Sequence, residues 1–410
     1  MEHYRRFVHE IAPMRSYLMI FMLGFLILSL FILTSSYSQA APATGNRTWY
    51  VATWGNDSND CRSWKTACRT INEARYRSNT GDVIRIGPGT FKESVNIFSS
   101  VTLIGSGPNR TVVDGKGEDS VFTIYSGASV HLSHMTIRNG LATDIGRGGA
   151  ITNWGSLTVD YVVIANNRGA GGQMVGGLAS SGPVTITNSA ILNNSAPGGY
   201  GGLTAEDTLY MENVTVAGNK ALQNGMAGAM MLHTTARATL VNVTVSGNEG
   251  FFSTGGILNG GNLSLVNVTL ANHSAVSTSN TEVDIYNTGR VTFKNTIISG
   301  GCLGEGTFTS QGHNLERTNT CGLNQSTDKT NVNPKLAPLA YNGGLGKTHA
   351  LQSGSPAIDA GDNTACPPSD QRGVPRWDGD GDGHKTCDIG AYEFVPSSVQ
   401  TERIYLALVK

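Results

Sequence analysis

The stretch WDGDGDGHKTCDIG (377–390) sets Asp378, Asp380 and Asp382 at alternate positions ahead of Gly383. Hard cations take oxygen ligands, and alternating carboxylates before a glycine that permits a sharp turn can wrap one. The His384 carbonyl would be the next ligand. The twelfth position is Ile389, where a bidentate carboxylate would normally close the cage, so Asp388 has to stand in. The expected ion is calcium, and the competing reading is a solvated acidic turn held by a Cys366–Cys387 bond. Acid/base chemistry has one other home, at Glu206, Asp207 and His233. Sequence neighbours in a strand point to opposite faces, so Glu206 and Asp207 are not a dyad by themselves. Acid/base hydrolysis needs two carboxylates about 5–9.5 Å apart.

Other chemical motifs fail on spacing. GLGKT (344–348) has Tyr341 where a phosphate-cradling loop needs a glycine, so no nucleotide is expected. G-x-S-x-G and H-E-x-x-H are absent.

The elements that must position these residues are written as a repeat. LYMENVTVAGN (209–219) returns as ATLVNVTVSGN (238–248). The Asn position of that phrase runs through His134, Tyr161, Asn188, Asn213, Asn242, Asn267 and Asn295, at steps of 27, 27, 25, 29, 25 and 28 residues. A second marker, Gly-Gly before an apolar pair, keeps step at 148–151, 176–178, 201–203 and 255–258, with AGAMM (227–231) filling the gap. A fixed step of 20–50 residues marks a repeat architecture.

Each step holds three short alternating runs between Gly/Asn turns, as in GLASS, VTIT and SAIL. The fold expected is all-β: a single-stranded right-handed parallel β-helix of about ten coils, three strands per coil, about 50 Å long at 4.8 Å per coil. Asn tolerates the left-handed backbone of a sharp bend better than any other non-Gly residue. Asn188, Asn213, Asn242, Asn267 and Asn295 are therefore expected to stack as an inward ladder, which disfavours glycosylation of the N-V-T phrases. The later asparagines (Asn167, Asn194, Asn219 and Asn248) mark the next turn. Counting four residues past the second marker places Asn153, Ser181, Glu206, His233 and Gly260 on one outward strand face, near Trp154, Asp207, Asn259, Asp284 and Tyr286.

Composition supports this reading. Charged residues are only 14% and Gly numbers 52, which suits many tight turns and little helix. The net charge of −1 lacks the basic excess of a nucleic-acid binder. Residues 1–40 read as a signal peptide or membrane anchor: Arg5, Arg6 and Arg15 precede the apolar run at 17–33, then Ser38 and Ala40. Those small residues favour cleavage before Ala41. The run is near bilayer-spanning length, so an uncleaved anchor stays open. Six cysteines fall as local pairs, Cys61/Cys68, Cys302/Cys321 and Cys366/Cys387. Read as short-loop disulfides, they agree with export.

The GG-apolar and Asn-Ser/Val-Thr phrases resemble the repeats of right-handed β-helices, including polymorphic outer-membrane proteins. GDVIRIGPGTFKESVNIFSSVTLIGSGPNRTVVDG (81–115) is similar to the first coils of secreted β-helix proteins, which implies a short amphipathic capping helix. CRTINEARYRS (68–78) fits it, with Ile71, Ala74 and Ala67 on one face. NGGLGKTHALQSGSPAIDAG (342–361) and DQRGVPRWDGDGDGHKTCDIGAYEF (370–394) resemble the choice-of-anchor Q domain of bacterial surface proteins. The DD, HG and RIK signatures of polygalacturonase-type β-helices are missing. The organisation expected is a cap at 41–80, the β-helix at 81–301, the choice-of-anchor Q-like module at 302–395 and a tail at 396–410. The function expected is non-catalytic: secreted or cell-surface adhesion, or binding of polysaccharide or other cell-envelope components. The alternative is a polysaccharide lyase, hydrolase or epimerase using Glu206, Asp207 and His233.

Overall fold

One coil explains the recurring phrase. Leu203–Ala205 forms a strand, Thr208–Glu212 and Thr215–Ala217 form two more, and Lys220–Leu222 a fourth. Asn213 separates the middle two with φ 57°. Leu209, Met211, Val214 and Val216 are fully buried, so alternation runs by twos, skips a residue at Asn213, and resumes by twos. The left-handed residue absorbs that extra step and bends one sheet, which lets both halves bury every second side chain. The same region of φ recurs at every phrase position from His134 to Asn295.

The computed structural model describes residues 46–276 and 282–396. The apolar run at 17–33, the cleavage site before Ala41 and residues 397–410 lie outside them. Among the described residues no helix is long and apolar enough to cross a membrane.

Coils pair in parallel along three sheets, giving an all-β parallel β-solenoid. The first, bent sheet holds 20 strands, the second 9 and the third 6. That makes about seven complete turns rather than the ten expected, because coils near both ends lack a third-sheet strand. The third sheet, which includes Ser195–Pro197, is what the three-run reading missed. VTIT and SAIL are two halves of one sheet.

The Asn ladder is the other correction. The bend turns these side chains away from the core. Asn213 Nδ2 donates to Asn188 Oδ1 and Asn242 Nδ2 to Asn213 Oδ1, both at 3.2 Å. Asn295 Nδ2 donates to Asn267 Oδ1 at 3.2 Å. Asn267 Nδ2 donates instead to the carbonyls of Asp388 and Gly390, which interrupts the run.

The inward ladder is the later asparagine of the phrase. Asn167, Asn194, Asn219 and Asn248 are buried and linked Nδ2 to Oδ1 at 2.9, 3.0 and 2.9 Å. The Oδ1 atoms of Asn194, Asn219 and Asn248 also accept the backbone N–H one coil back. His273 ends the run, its Nδ1 facing the Asn248 N–H at 3.3 Å.

The N-terminal end is closed by the helix Ile71–Arg77, with Ile71 and Ala74 buried. Thr70 Oγ1 accepts the Glu73 N–H, and the Glu93 carboxylate accepts the N–H groups of Ile71 and Asn72. A closed end removes the exposed edge and core that an open coil would leave.

Parallel pairing continues past residue 301, through Cys302–Leu303, Thr307–Ser310, Leu315–Glu316 and Lys329–Thr330. The solenoid thus reaches into the expected C-terminal module. Residues 331–396 then lie along the outer face of the first sheet's second half, paired only by isolated antiparallel bridges. Thr215 Oγ1 donates to the Lys347 carbonyl, Thr244 Oγ1 to Gln371 Oε1, and the Ala391 N–H to Thr269 Oγ1. A Cβ on Gly346 would collide with Thr215 Oγ1, so GLGKT owes a glycine to close packing. Disulfides join Cys61–Cys68, Cys302–Cys321 and Cys366–Cys387.

Candidate binding site

The second sheet carries the outward face. Ile97, Ile124, Asn153, Ser180, Ala205, Leu232, Asn259 and Asn287 are in register and buried. The residues that follow them point outward: Phe98, Tyr125, Trp154, Ser181, Glu206, His233, Gly260 and Thr288. One backbone ladder ties this column, Tyr125 N–H to Ile97 O, Trp154 to Ile124, Ser181 to Asn153, Glu206 to Ser180 and His233 to Ala205, each at 2.9–3.0 Å. Neighbours in the column therefore stand one coil apart, about 4.8 Å.

Three successive coils present aromatic rings. Phe98 and Tyr125 stack with centroids 4.1 Å apart and planes at 19°. Tyr125 meets Trp154 edge to face at 5.5 Å. Phe98 remains 58% exposed, so the stack is open to solvent at its end. Arg75 lies over the Phe98 ring at 5.9 Å and Arg147 over Trp154 at 5.4 Å. Arg147 is also held by Asp119 and Asp144 at 3.5 Å each, which steadies the guanidinium on the indole.

Farther along, Glu206 and His233 line one cavity of about 170 Å³ with Gln173, Ser181, Tyr200 and Thr204. Burial raises the Tyr200 hydroxyl's pKa, and that hydroxyl donates to Met226 Sδ at 3.4 Å. No ion pair joins Glu206 and His233. Each bonds a neighbour of the other through its backbone, the Glu206 carbonyl accepting Thr235 Oγ1 and the His233 N–H donating to the Ala205 carbonyl. Asp207 turns away from the cavity and accepts the N–H and O–H of its neighbour Thr208. The structure thus brings Glu206 and His233 together and leaves Asp207 out. The cavity has a single carboxylate, one short of an acid/base pair.

The marker count misplaced one coil. Asn153 is in register with buried Ser180 and donates to its Oγ at 2.8 Å, so it points inward. An extra residue, Ala150, separates that Gly-Gly from its strand, and Trp154 holds the outward place. Asn259 also points inward, donating to Asn287 Oδ1. Asp284 is buried, accepts the Gly300 N–H at 2.7 Å, and has its carboxyl pKa pushed up to about 7 by burial.

The acidic loop draws in a residue that the sequence pattern missed. Carboxylate oxygens of Asp359, Asp378 and Asp380 lie within 4.8 Å of one another. Asp359 Oδ2 accepts the N–H groups of Gly379 and Asp380 at 2.8 and 2.6 Å, while its buried Oδ1 has no partner. Burial and nearby Asp380 push its pKa up to about 6. Asp378 accepts the N–H groups of Gly381 and Gly383, Asp380 that of Asp382, and Asp382 that of His384. These bonds curl the loop, and His384 is exposed. Asp388 sits elsewhere: buried, it accepts the N–H of Asp359 on Oδ1 and of Phe394 on Oδ2. Three clustered hard oxygen donors, one with an orphaned oxygen, suit a divalent cation. Asp359 precedes the acidic run by 19 residues, so no local spacing announced it.

No family model and no curated protein matches this chain. Solved structures do. Pectate lyase Pel9A is 15% identical, with 86% of this chain and 97% of that one covered at a TM-score of 0.48. XylC in complex with xylose is 10% identical, covering 85% and 98%, at 0.49. Pectin methylesterase PemA from Erwinia chrysanthemi is 12% identical, covering 69% and 92%, at 0.36. These are likenesses of chain path and assign no activity here.

Proposed function

We propose that the protein is an exported, non-catalytic polysaccharide-binding protein acting at a cell surface. The observation that carries this is the aromatic column: Phe98, Tyr125 and Trp154 on consecutive coils, rigidly spaced by one backbone ladder. Aromatic faces pack well against the apolar faces of sugars, while flanking hydroxyl and amide groups orient them. The cavity farther along the same face supports binding rather than hydrolysis, since Glu206 is the one carboxylate in its lining. Three disulfides support export into an oxidising compartment. Calcium at Asp359, Asp378 and Asp380 is proposed as a structural ion of the C-terminal segment, with the Asp359 Oδ1 in its cage.

The experiment is affinity electrophoresis against a polysaccharide panel, with product release assayed in parallel. The native chain is expected to be retarded by at least one polymer, Trp154→Ala to lose most of that retardation, and no reducing ends or unsaturated sugars to appear. Turnover that Glu206→Gln abolishes would replace this reading with the enzymatic one at Glu206 and His233.

A further inference from the structure

The corner that begins with aromatic rings ends with arginines. Arg237, Asn262 and Arg290 stand in one register column on three successive coils. The two guanidinium-bearing positions are thus two coil steps apart, about 9.6 Å. They open the first sheet directly after the outward column, Arg237 just past His233 and Arg290 just past Thr288. Both are exposed, and both line a groove of about 260 Å³ with Asn262, Thr239, Ser264 and Thr292.

The chemistry of that groove is one-sided. No carboxylate lines it. Other outward-facing arginines of the solenoid stand against carboxylates, as Arg138 does against Asp114 and Arg147 against Asp119 and Asp144. Among the described residues Arg237 and Arg290 have no ion-pair partner. Guanidinium groups donate only, and their fork matches a carboxylate bidentately. Hydroxyls and an amide between them suit the sugar hydroxyls around such a charge.

We propose that Arg237 and Arg290 bind carboxylates of an acidic polysaccharide, two coil steps apart, on the chain whose neutral faces stack on Trp154. This rests on the polysaccharide reading above and names its ligand class. From Trp154 the column reaches the Arg237 coil in three steps, about 14 Å, and the Arg290 coil in five, about 24 Å. One oligosaccharide can therefore span both regions.

The test is calorimetric titration of the full chain with polygalacturonate, with its methyl ester, and with duplex DNA as a polyanion control. Polygalacturonate is expected to bind about tenfold more tightly than the ester, with an affinity that falls as salt rises. The Arg237→Gln/Arg290→Gln double variant should bring polygalacturonate down to the level of the ester, while circular dichroism stays native. Trp154→Ala should weaken both polymers. If the double variant keeps native affinity while Trp154→Ala loses it, the arginine inference fails and the polysaccharide reading stands. If Trp154→Ala leaves both polymers unaffected, the broader reading fails too. DNA bound as tightly as polygalacturonate, or no binding of either polymer, also overturns the inference.

Discussion

In the solenoid, Asn219 takes two N–H groups from Asn194 and gives its amide to Ile191 O and Asn248 Oδ1. Every one of those partners is the same residue type or the same strand position, one coil away. In the segment at 331–396, Arg376 pairs with Glu393 at 2.9 Å, Glu393 accepts the Trp377 N–H, and Arg372 covers the Tyr392 ring at 3.6 Å. None of those contacts repeats. One region is stabilised by a short rule applied coil after coil, the other by single buried pairs. The solenoid holds its outward side chains at a fixed step, and the segment covers one face with a structure that can be undone one pair at a time.

The largest effect tests the repeating rule. Asn219→Ala leaves the Asn194 N–H buried and unpaired and takes one of two partners from Asn194 Nδ2 and from Asn248 Oδ1, costing about 3 kcal/mol. Denaturant melts should show the whole solenoid weakened. A loss below about 1 kcal/mol would mean that the ladder adapts.

Next comes the pairwise rule. Arg376→Ala strands the buried Glu393 carboxylate, which should cost about 3 kcal/mol. Hydrogen exchange should localise the opening to 331–396 and leave the solenoid protected. Global loosening would erase the contrast between the two regions.

Acidity sharpens it further. His349 joins the two regions: Nδ1 meets the Ala337 carbonyl at 2.7 Å and Nε2 meets Ser246 Oγ at 2.8 Å. Burial lowers its pKa. The folded chain takes up its proton at lower pH than the unfolded chain, which does so near 6.5. Its stabilisation is therefore full above pH 6.5 and lost as pH falls toward the folded value. The stability gap between native and His349→Asn chains should shrink as pH falls below 6.5, by at most about 1.4 kcal/mol per pH unit. Asp388 and Glu393, whose pKa values burial raises, act with the opposite sign and cancel in that difference. A gap independent of pH would place the stabilising role of His349 in packing alone.

The smallest effect concerns calcium. Chelation should lower the melting temperature by about 2–4 °C, and Asp380→Asn should remove that response. An unchanged melt leaves the trio as a solvated acidic turn.

What was legible in the sequence follows the same division. The left-handed Asn positions and the parallel coils could be read because each coil repeats the same packing problem. The direction of Asn213 could not, because the period is unchanged whether its side chain faces in or out. Trp154 was missed by one place, since the extra Ala150 shifts the marker without shifting the strand. Glu206 and His233 were found together because they share a column. Asp359 was hidden because a carboxylate that joins a loop from a distant turn leaves no spacing behind. The third sheet was missed because its strands, such as Arg168–Gly169, are too short to show alternation.

On the proposed function, one sugar chain lies along the outward column of the second sheet. Hydrogen–deuterium exchange of the full chain, with and without the tightest-binding polysaccharide, tests it most directly. Protection is expected in peptides holding Phe98, Tyr125, Trp154, Glu206 and His233, with the third sheet unchanged. Protection confined to the third sheet or to 331–396 would contradict it.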